Sequence, residues 1–289
     1  MRRCAFLTTD ALDAFVTYDR LLHDPLARRG WQVDEVSWRA EADWDVYEAV
    51  VVRSPWDYHA EPEAFFAVLE AIDRSAARLE NPLALMRWNA RKTYLRDLEA
   101  RGFPIVPTRW LGRLNAADLP VLYDAFGTDE LVVKPVVGAN ADDTFRLPRG
   151  APSGKALSLF ADRACLVQPF VPAVVREGEF SLFYFGDAYS HAILKTPASG
   201  DFRVQEEHGS TLRAATPEPA LRAVSDAIFA SLTPRPLYAR TDFVRLDRVS
   251  RDGGFALMEV ELIEPSLYFP YDAASPERFA DAFAERMGD

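Results

Sequence analysis

Met258-Glu259-Val260-Glu261-Leu262-Ile263-Glu264-Pro265 sets acidic side chains alternately with apolar ones. Successive side chains of a strand point to opposite faces, so Glu259 and Glu261 project from the same face. Two carboxylates side by side repel each other unless a cation sits between them. Upstream, Ala239-Arg240-Thr241-Asp242 reads as a neighbouring strand. Its aspartate completes an oxygen cage suited to Mg2+. The plainer reading is a solvated acidic face of an amphipathic strand. Glu264-Pro265, which extends the acidic row, argues against it, as do Met258, Val260 and Leu262, which leave only one face apolar. Asp242, Glu259 and Glu261 are therefore the expected metal ligands.

Working outward, residues 180–185, 188–194, 238–246 and 255–263 read as successive strands of a larger, mostly antiparallel sheet, with a helix at about 218–232 among them. At the other end of the chain, residues 3–8 and 49–53 are compact apolar runs closed by polar residues, as in buried parallel strands. A helix over 18–30, ending at Gly30, lies between them, and another follows over 61–78. This alternation predicts a small doubly wound domain. A helix is expected from Asn89 to Glu99. The short apolar runs 131–135 and 166–170, each containing a proline, read as strands. Between them, 138–154 is rich in Gly, Asp, Pro and Arg and reads as a mobile loop rather than core. The predicted class is α/β (α+β) in three pieces: an N-terminal α/β domain over 1–85, a central lid-bearing subdomain over 86–166, and a C-terminal subdomain with the metal site over 167–289.

Basic residues gather in the same order as these elements. Lys92 lies near the start of a predicted helix, and Lys134 ends a buried strand just before Pro135. Lys195 and Arg203 flank residues 196–202. An ammonium at a strand end is a mobile point charge suited to phosphate. Each of these alone reads more readily as a solvated surface cation; their order and company favour a site. Gln168, Phe170 and Val171 form an extended, proline-flanked segment whose backbone groups suit an adenine edge, and Glu179 beyond it suits ribose hydroxyls; taken alone, the segment reads more readily as a strand, a turn and another strand.

The 289 residues carry a formal net charge of −11, which argues against a nucleic-acid partner because such binding rests on clustered Lys and Arg. The N-terminal apolar run is too short for a signal peptide or a membrane span. Cys4 and Cys165 form no Cys-x-x-Cys or Cys/His cluster, which fits a reducing, cytoplasmic setting. The four histidines are scattered, and His208 is the one near the expected substrate region. No Ser-His-Asp or Cys-His set suggests a covalent nucleophile.

Taken in order, these residues resemble the ATP-grasp superfamily, in its glutathione-synthetase-like branch. The resemblance covers most of the chain after residue 80. It implies an ATP-dependent carboxylate–amine ligase with ATP and Mg2+, or Mn2+, as cofactors. Lys92, Lys134, Gln168, Phe170, Val171 and Glu179 would hold the nucleotide beneath a lid over about 138–150. Asp242, Glu259 and Glu261 would hold metal, while Arg203, Arg240 and Lys195 would serve the chemistry. Glu261 stands where the branch usually has asparagine. A narrower resemblance, to the ATP-grasp ligase that closes O-ureido-serine to cycloserine and its relatives, rests on Arg53-Ser54-Pro55-Trp56-Asp57-Tyr58 and on residues 261–269. It places Arg53, Ser54 and Trp56 beside the substrate, with Arg53 either a carboxylate clamp or a strand-end arginine capped by a packed tryptophan. It also implies a homo-oligomer, dimer or tetramer, and no membrane partner. A phosphotransferase acting on a hydroxyl and a non-catalytic nucleotide-binding protein are the rival readings.

Overall fold

The apolar runs near the N-terminus form β1 (Arg2–Thr8) and β3 (Ala49–Ser54), which pair in parallel. The computed structural model describes residues 1–10, 12, 15–138, 141–246 and 254–288. Two further strands complete the first sheet: β2 (Trp31–Ser37) and β4 (Arg78–Glu80), in the order β2-β1-β3-β4. β2 escaped the sequence reading because its side chains are mostly half-exposed and show no clean alternation. The helix expected over 18–30 is a short 3-10 turn followed by α1 (His23–Arg28). The helix expected over 61–78 is α2 (Pro62–Arg74); Pro62 starts it, and it buries Phe65, Leu69 and Ile72 at helical spacing.

The helix expected from Asn89 to Glu99 is two helices, α3 (Leu83–Asn89) and α4 (Tyr94–Ala100). The break has a reason. The Lys92 N–H donates to the Val136 carbonyl at 2.8 Å, and the Asn89 side chain is committed to a distant strand. A second sheet follows from β5 (Arg109–Leu111), β6 (Glu130–Pro135), β7 (Phe145–Pro148) and β8 (Cys165–Pro169), in the order β5-β8-β6-β7. Helices α5 (Asp118–Phe126) and α6 (Gly154–Leu159) pack on it around Phe160 and Leu131. β7 corrects the reading of 138–154 as loop throughout, because Leu147 is buried against β6. Residues 139 and 140 of the expected lid lie outside the described residues.

After the single turn α7 (Ala173–Arg176), the third sheet comprises β9 (Glu179–Phe185), β10 (Ala188–Thr196), β11 (Thr211–Ala214), β12 (Tyr238–Arg245) and β13 (Phe255–Glu261). Its order is β11-β10-β9-β12-β13, and its strand pairs are antiparallel. Helix α8 (Pro219–Ser231) covers one face, and α9 (Ser275–Arg286) bridges to the first sheet, where Phe279 and Phe283 share a core with Phe6, Trp31 and Phe185. The apolar side chains of α4, with Ile105, pack into the core of this third sheet rather than the second. The architecture is α/β, three sheets around a cleft. Among the described residues no helix is long and apolar enough to cross a membrane.

Candidate active site

Strand register places the acidic residues. Asp242 on β12 lies opposite Glu259 on β13, and Arg240 lies opposite Glu261. A register shift follows Asp242, so Met258 is the extra residue of β13 and turns toward the cleft with Glu259. Bulges of this kind redirect side chains beside functional sites; this one corrects the expectation that Met258 sits on the core face. On the other flank of β12, Ser181 of β9 lies opposite Asp242, and Glu179 of β9 opposite Lys195 of β10. β9 can begin there because Gly178 has φ +117 and a Cβ on it would stand 2.6 Å from the Lys195 carbonyl.

An edge strand normally leaves backbone groups unpaired. The outer edge of β13 is covered instead. Leu257 exchanges backbone hydrogen bonds with Pro104 and Val106, at 2.8 and 3.1 Å. The Val260 N–H donates to the Tyr94 hydroxyl, and the Asn89 amide bridges the Val260 carbonyl and the Leu262 N–H. Side chains from α3 and α4 thus stand in for a sixth strand and hold Glu259 and Glu261 in register.

Carboxylate oxygens of Asp242, Glu259 and Glu261 lie within 4.8 Å of one another. Each is met by a cation. Arg240 grips Asp242 with three contacts of 2.9–3.1 Å and also reaches Glu261. Lys92 pairs with Glu259, and Lys195 pairs with Glu179 at 2.6 Å and Asp242 at 3.5 Å. Burial opposes ionisation of Asp242, yet Arg240, Lys195 and the Ser181 hydroxyl outweigh it and hold the group below its ordinary range. Glu261 goes the other way. Burial, with the neighbouring Glu259 and Asp242 charges, pushes it up to about 8 despite Arg240. Burial also raises Glu179 against the pull of Lys195.

The opposite wall of the cleft comes from the second sheet. Lys134 at the end of β6 has no ion-pair partner among the described residues, and burial together with the nearby Lys92 charge lowers it. Gln168 lies 3% exposed with its amide on Thr108, and Phe170 and Val171 continue the wall beside it. The Phe170 N–H is committed to the Glu130 carbonyl, whereas the Val171 N–H has no acceptor among the described residues. Arg203 lines the cleft with its guanidinium paired to Asp201 at 2.7 Å. Asp142, from the described part of the expected lid, pairs with His59 at 3.3 Å. His208 is not on the cleft wall, whereas Gln205 and Glu207 beside it are. All told, these walls enclose about 1620 Å3, the open mouth included.

The two motifs of the narrower resemblance meet in space. Five successive carbonyls, 263 to 267, accept hydrogen bonds from side chains of other segments. Ile263 takes the Tyr238 hydroxyl at 2.9 Å, Glu264 the Trp56 indole at 2.8 Å and Pro265 the Arg53 guanidinium at 3.0 Å. Ser266 takes Arg240 at 3.4 Å, and Leu267 the His191 ring at 3.1 Å. The expected carboxylate clamp is therefore corrected. Arg53 is 1% exposed, locked to Asp19 at 3.0 Å and absent from the cleft wall; it braces the loop behind the wall. Ser54 is fully buried as well, its carbonyl taking the Thr9 N–H. Of the three expected substrate residues only Trp56 lines the cleft. Glu264, Ser266 and Tyr268, which the sequence reading gave no site role, line it too, as does Tyr58 of the first motif. Their signal was present in the two motifs but carried no chemistry until the motifs were seen to touch.

Residues 4–81 match the family described as the N-terminal domain of D-cycloserine synthetase DcsG. Over 298 aligned positions the chain is 33% identical to the cycloserine biosynthesis protein DcsG of Streptomyces lavendulae, covering 97% of this chain and 98% of that protein. The crystal structure of D-cycloserine synthetase DcsG superposes with a TM-score of 0.86 at 30% identity, over 99% of both chains. A RimK domain ATP-grasp protein of Sphaerobacter thermophilus superposes with a TM-score of 0.69 at 19% identity, over 97% of this chain and 98% of that one, a likeness of fold.

Proposed function

Because the chain belongs to the D-cycloserine synthetase family of ATP-grasp ligases, and so is an ATP-dependent enzyme that forms carbon–nitrogen bonds, we propose how its own residues perform that reaction. Phosphates of ATP lie between Lys134 and Lys92 on one side and the acidic strands on the other. The adenine rests against 168–171, where the Val171 N–H is open to it. A small substrate carboxylate attacks the γ-phosphorus, ADP leaves, and a nitrogen nucleophile displaces phosphate from the resulting acyl phosphate. D-cycloserine synthetase, which the chain resembles, serves as the model, with acid and amine parts of one small molecule.

The acidic triad fits a hard divalent cation such as Mg2+, or Mn2+. Its donors are all carboxylate oxygens close enough to share one ion. Such an ion supplies neutralisation of phosphate charge. Arg240, locked on Asp242, orients that ligand; Lys195 balances Glu179 and Asp242. Arg203 stands on the cleft wall where it can meet the oxyanion of the tetrahedral intermediate. Closure over the cleft by the segment containing Asp142 and Thr144 keeps water from the acyl phosphate.

One observation carries this reading: a lysine with no ion-pair partner among the described residues shares a cleft with three carboxylates that converge on one point. The phosphotransferase and scaffold readings have no comparable support. An ADP-release screen pairing small carboxylates with amines, read together with product analysis, tests it. A C–N product with free phosphate is expected; a stable phosphoester would overturn the proposal.

A further inference from the structure

The carboxylates of β9, β12 and β13 on the cleft wall each have a cationic partner: Glu179 has Lys195, Asp242 and Glu261 have Arg240, and Glu259 has Lys92. Glu264, just past β13 on the same wall, forms no ion pair among the described residues. The protein groups that favour its charge are the Tyr58 hydroxyl, the Lys92 ammonium and its own backbone N–H, and the ammonium is already engaged by Glu259. Its carboxylate is nonetheless delivered to one place, because the main chain on both sides is pinned by Tyr238, Trp56 and Arg53. The rings of Trp56, Tyr58 and Tyr268 line the same cleft.

We propose that Glu264 is a specificity-determining residue that receives the ammonium group of an amino-acid-like substrate, walled by the aromatic rings of Trp56, Tyr58 and Tyr268. This rests on the ligase reading above and deepens it. The physical case has three parts. A half-buried carboxylate with no ion-pair partner among the described residues carries a free-energy cost that a ligand's ammonium recovers. The faces of aromatic rings attract the same cation. An unpaired carboxylate also repels phosphate and carboxylate groups, so a substrate with both an ammonium and a carboxylate enters with its ammonium toward Glu264 and its carboxylate toward the lysines.

The probes are matched pairs of small α-amino acids and their α-hydroxy counterparts, in both hands. They are titrated calorimetrically into the full chain with Mg2+ and a non-hydrolysable ATP analogue, and separately assayed for ADP release with ATP. Wild type is expected to bind one amino acid at least ~10-fold more tightly than its hydroxy partner, as a charge-assisted contact implies. In Glu264→Gln the two members should bind within about threefold, with affinity for the nucleotide and for Mg2+ unchanged. Glu264→Asp, which keeps the charge on a shorter arm, should restore part of the preference. Equal binding of both members by wild type, or binding of neither, overturns the proposal. So does a preference that survives in Glu264→Gln, or a loss confined to Mg2+ affinity, which would make Glu264 a metal ligand instead. Binding preference is read without turnover. Failure of ADP release with every pair therefore counts against the ligase reading alone.

Discussion

The two walls of the cleft are built on opposite electrostatic plans. On the third sheet, buried charges are interlocked: Lys195 with Glu179 and Asp242, Arg240 with Asp242 and Glu261, Lys92 reaching Glu259. On the second sheet, Lys134 faces the same space without a partner among the described residues. The paired wall is finished by folding. The lysine on the other wall is stabilised only when an anion arrives, which is how a binding group differs from a structural one.

Substitution of Lys195 and of Lys134 separates these plans most sharply. Lys195→Met leaves Glu179 and Asp242 buried with a cation missing and should cost about 3–5 kcal/mol in chemical denaturation. Lys134→Met removes a half-buried charge that has no ion-pair partner among the described residues and should change stability by no more than about 1 kcal/mol, while weakening ATP turnover about 100-fold. Equal destabilisation by both would erase the contrast between the walls.

Glu259→Gln keeps size and strand register but removes one charge from the triad. Turnover of ATP should fall about 100- to 1,000-fold, with an unchanged circular dichroism spectrum. A variant with normal turnover would show that Glu259 has no part in holding a metal.

The brace behind the third sheet has its own pH signature. His191 is buried, stacked on Phe183 and bonded to the Leu267 carbonyl, and burial lowers it from 6.5 to about 4. Between those values the unfolded chain binds the proton and the folded chain does not. This contribution is therefore complete above pH 6.5 and is lost as pH falls toward 4. At about 1.4 kcal/mol per unit it amounts to about 3 kcal/mol. Thermal melts of wild type and His191→Gln at pH 7 and pH 4.5 should converge as pH drops; parallel curves would remove His191 from the brace.

The smallest effect expected is that of Trp56→Phe. Loss of its hydrogen bond to the Glu264 carbonyl should cost about 1 kcal/mol and raise the KM for the acid substrate while leaving that for ATP alone. A matching rise in both would mean that the loop it pins serves the nucleotide rather than the substrate.

Much of the paired wall was legible beforehand. The alternation of acidic and apolar residues over 258–264 placed Glu259 and Glu261 on one face because a strand has period two. The apolar run ending in Lys134 marked that lysine as suited to a phosphate contact. The bulge at Met258 was not legible, since an extra residue in a strand is defined by its partner strand, not by its own sequence. Whether Arg53 clamps or braces was not legible, because an arginine at a strand end looks the same whether it faces a ligand or a buried aspartate 34 residues earlier.

Local periodicity and the linear order of charged residues, then, were enough to define the α/β class, the carboxylate triad, the strand lysine and the ATP-grasp resemblance. Those properties depend on neighbours a few residues away. Which carboxylate lacks a counter-ion, and which arginine braces rather than binds, were decided only when distant segments packed together. Residues 53–58 and 263–267 acquire their meaning from hydrogen bonds to each other across more than 200 positions of chain.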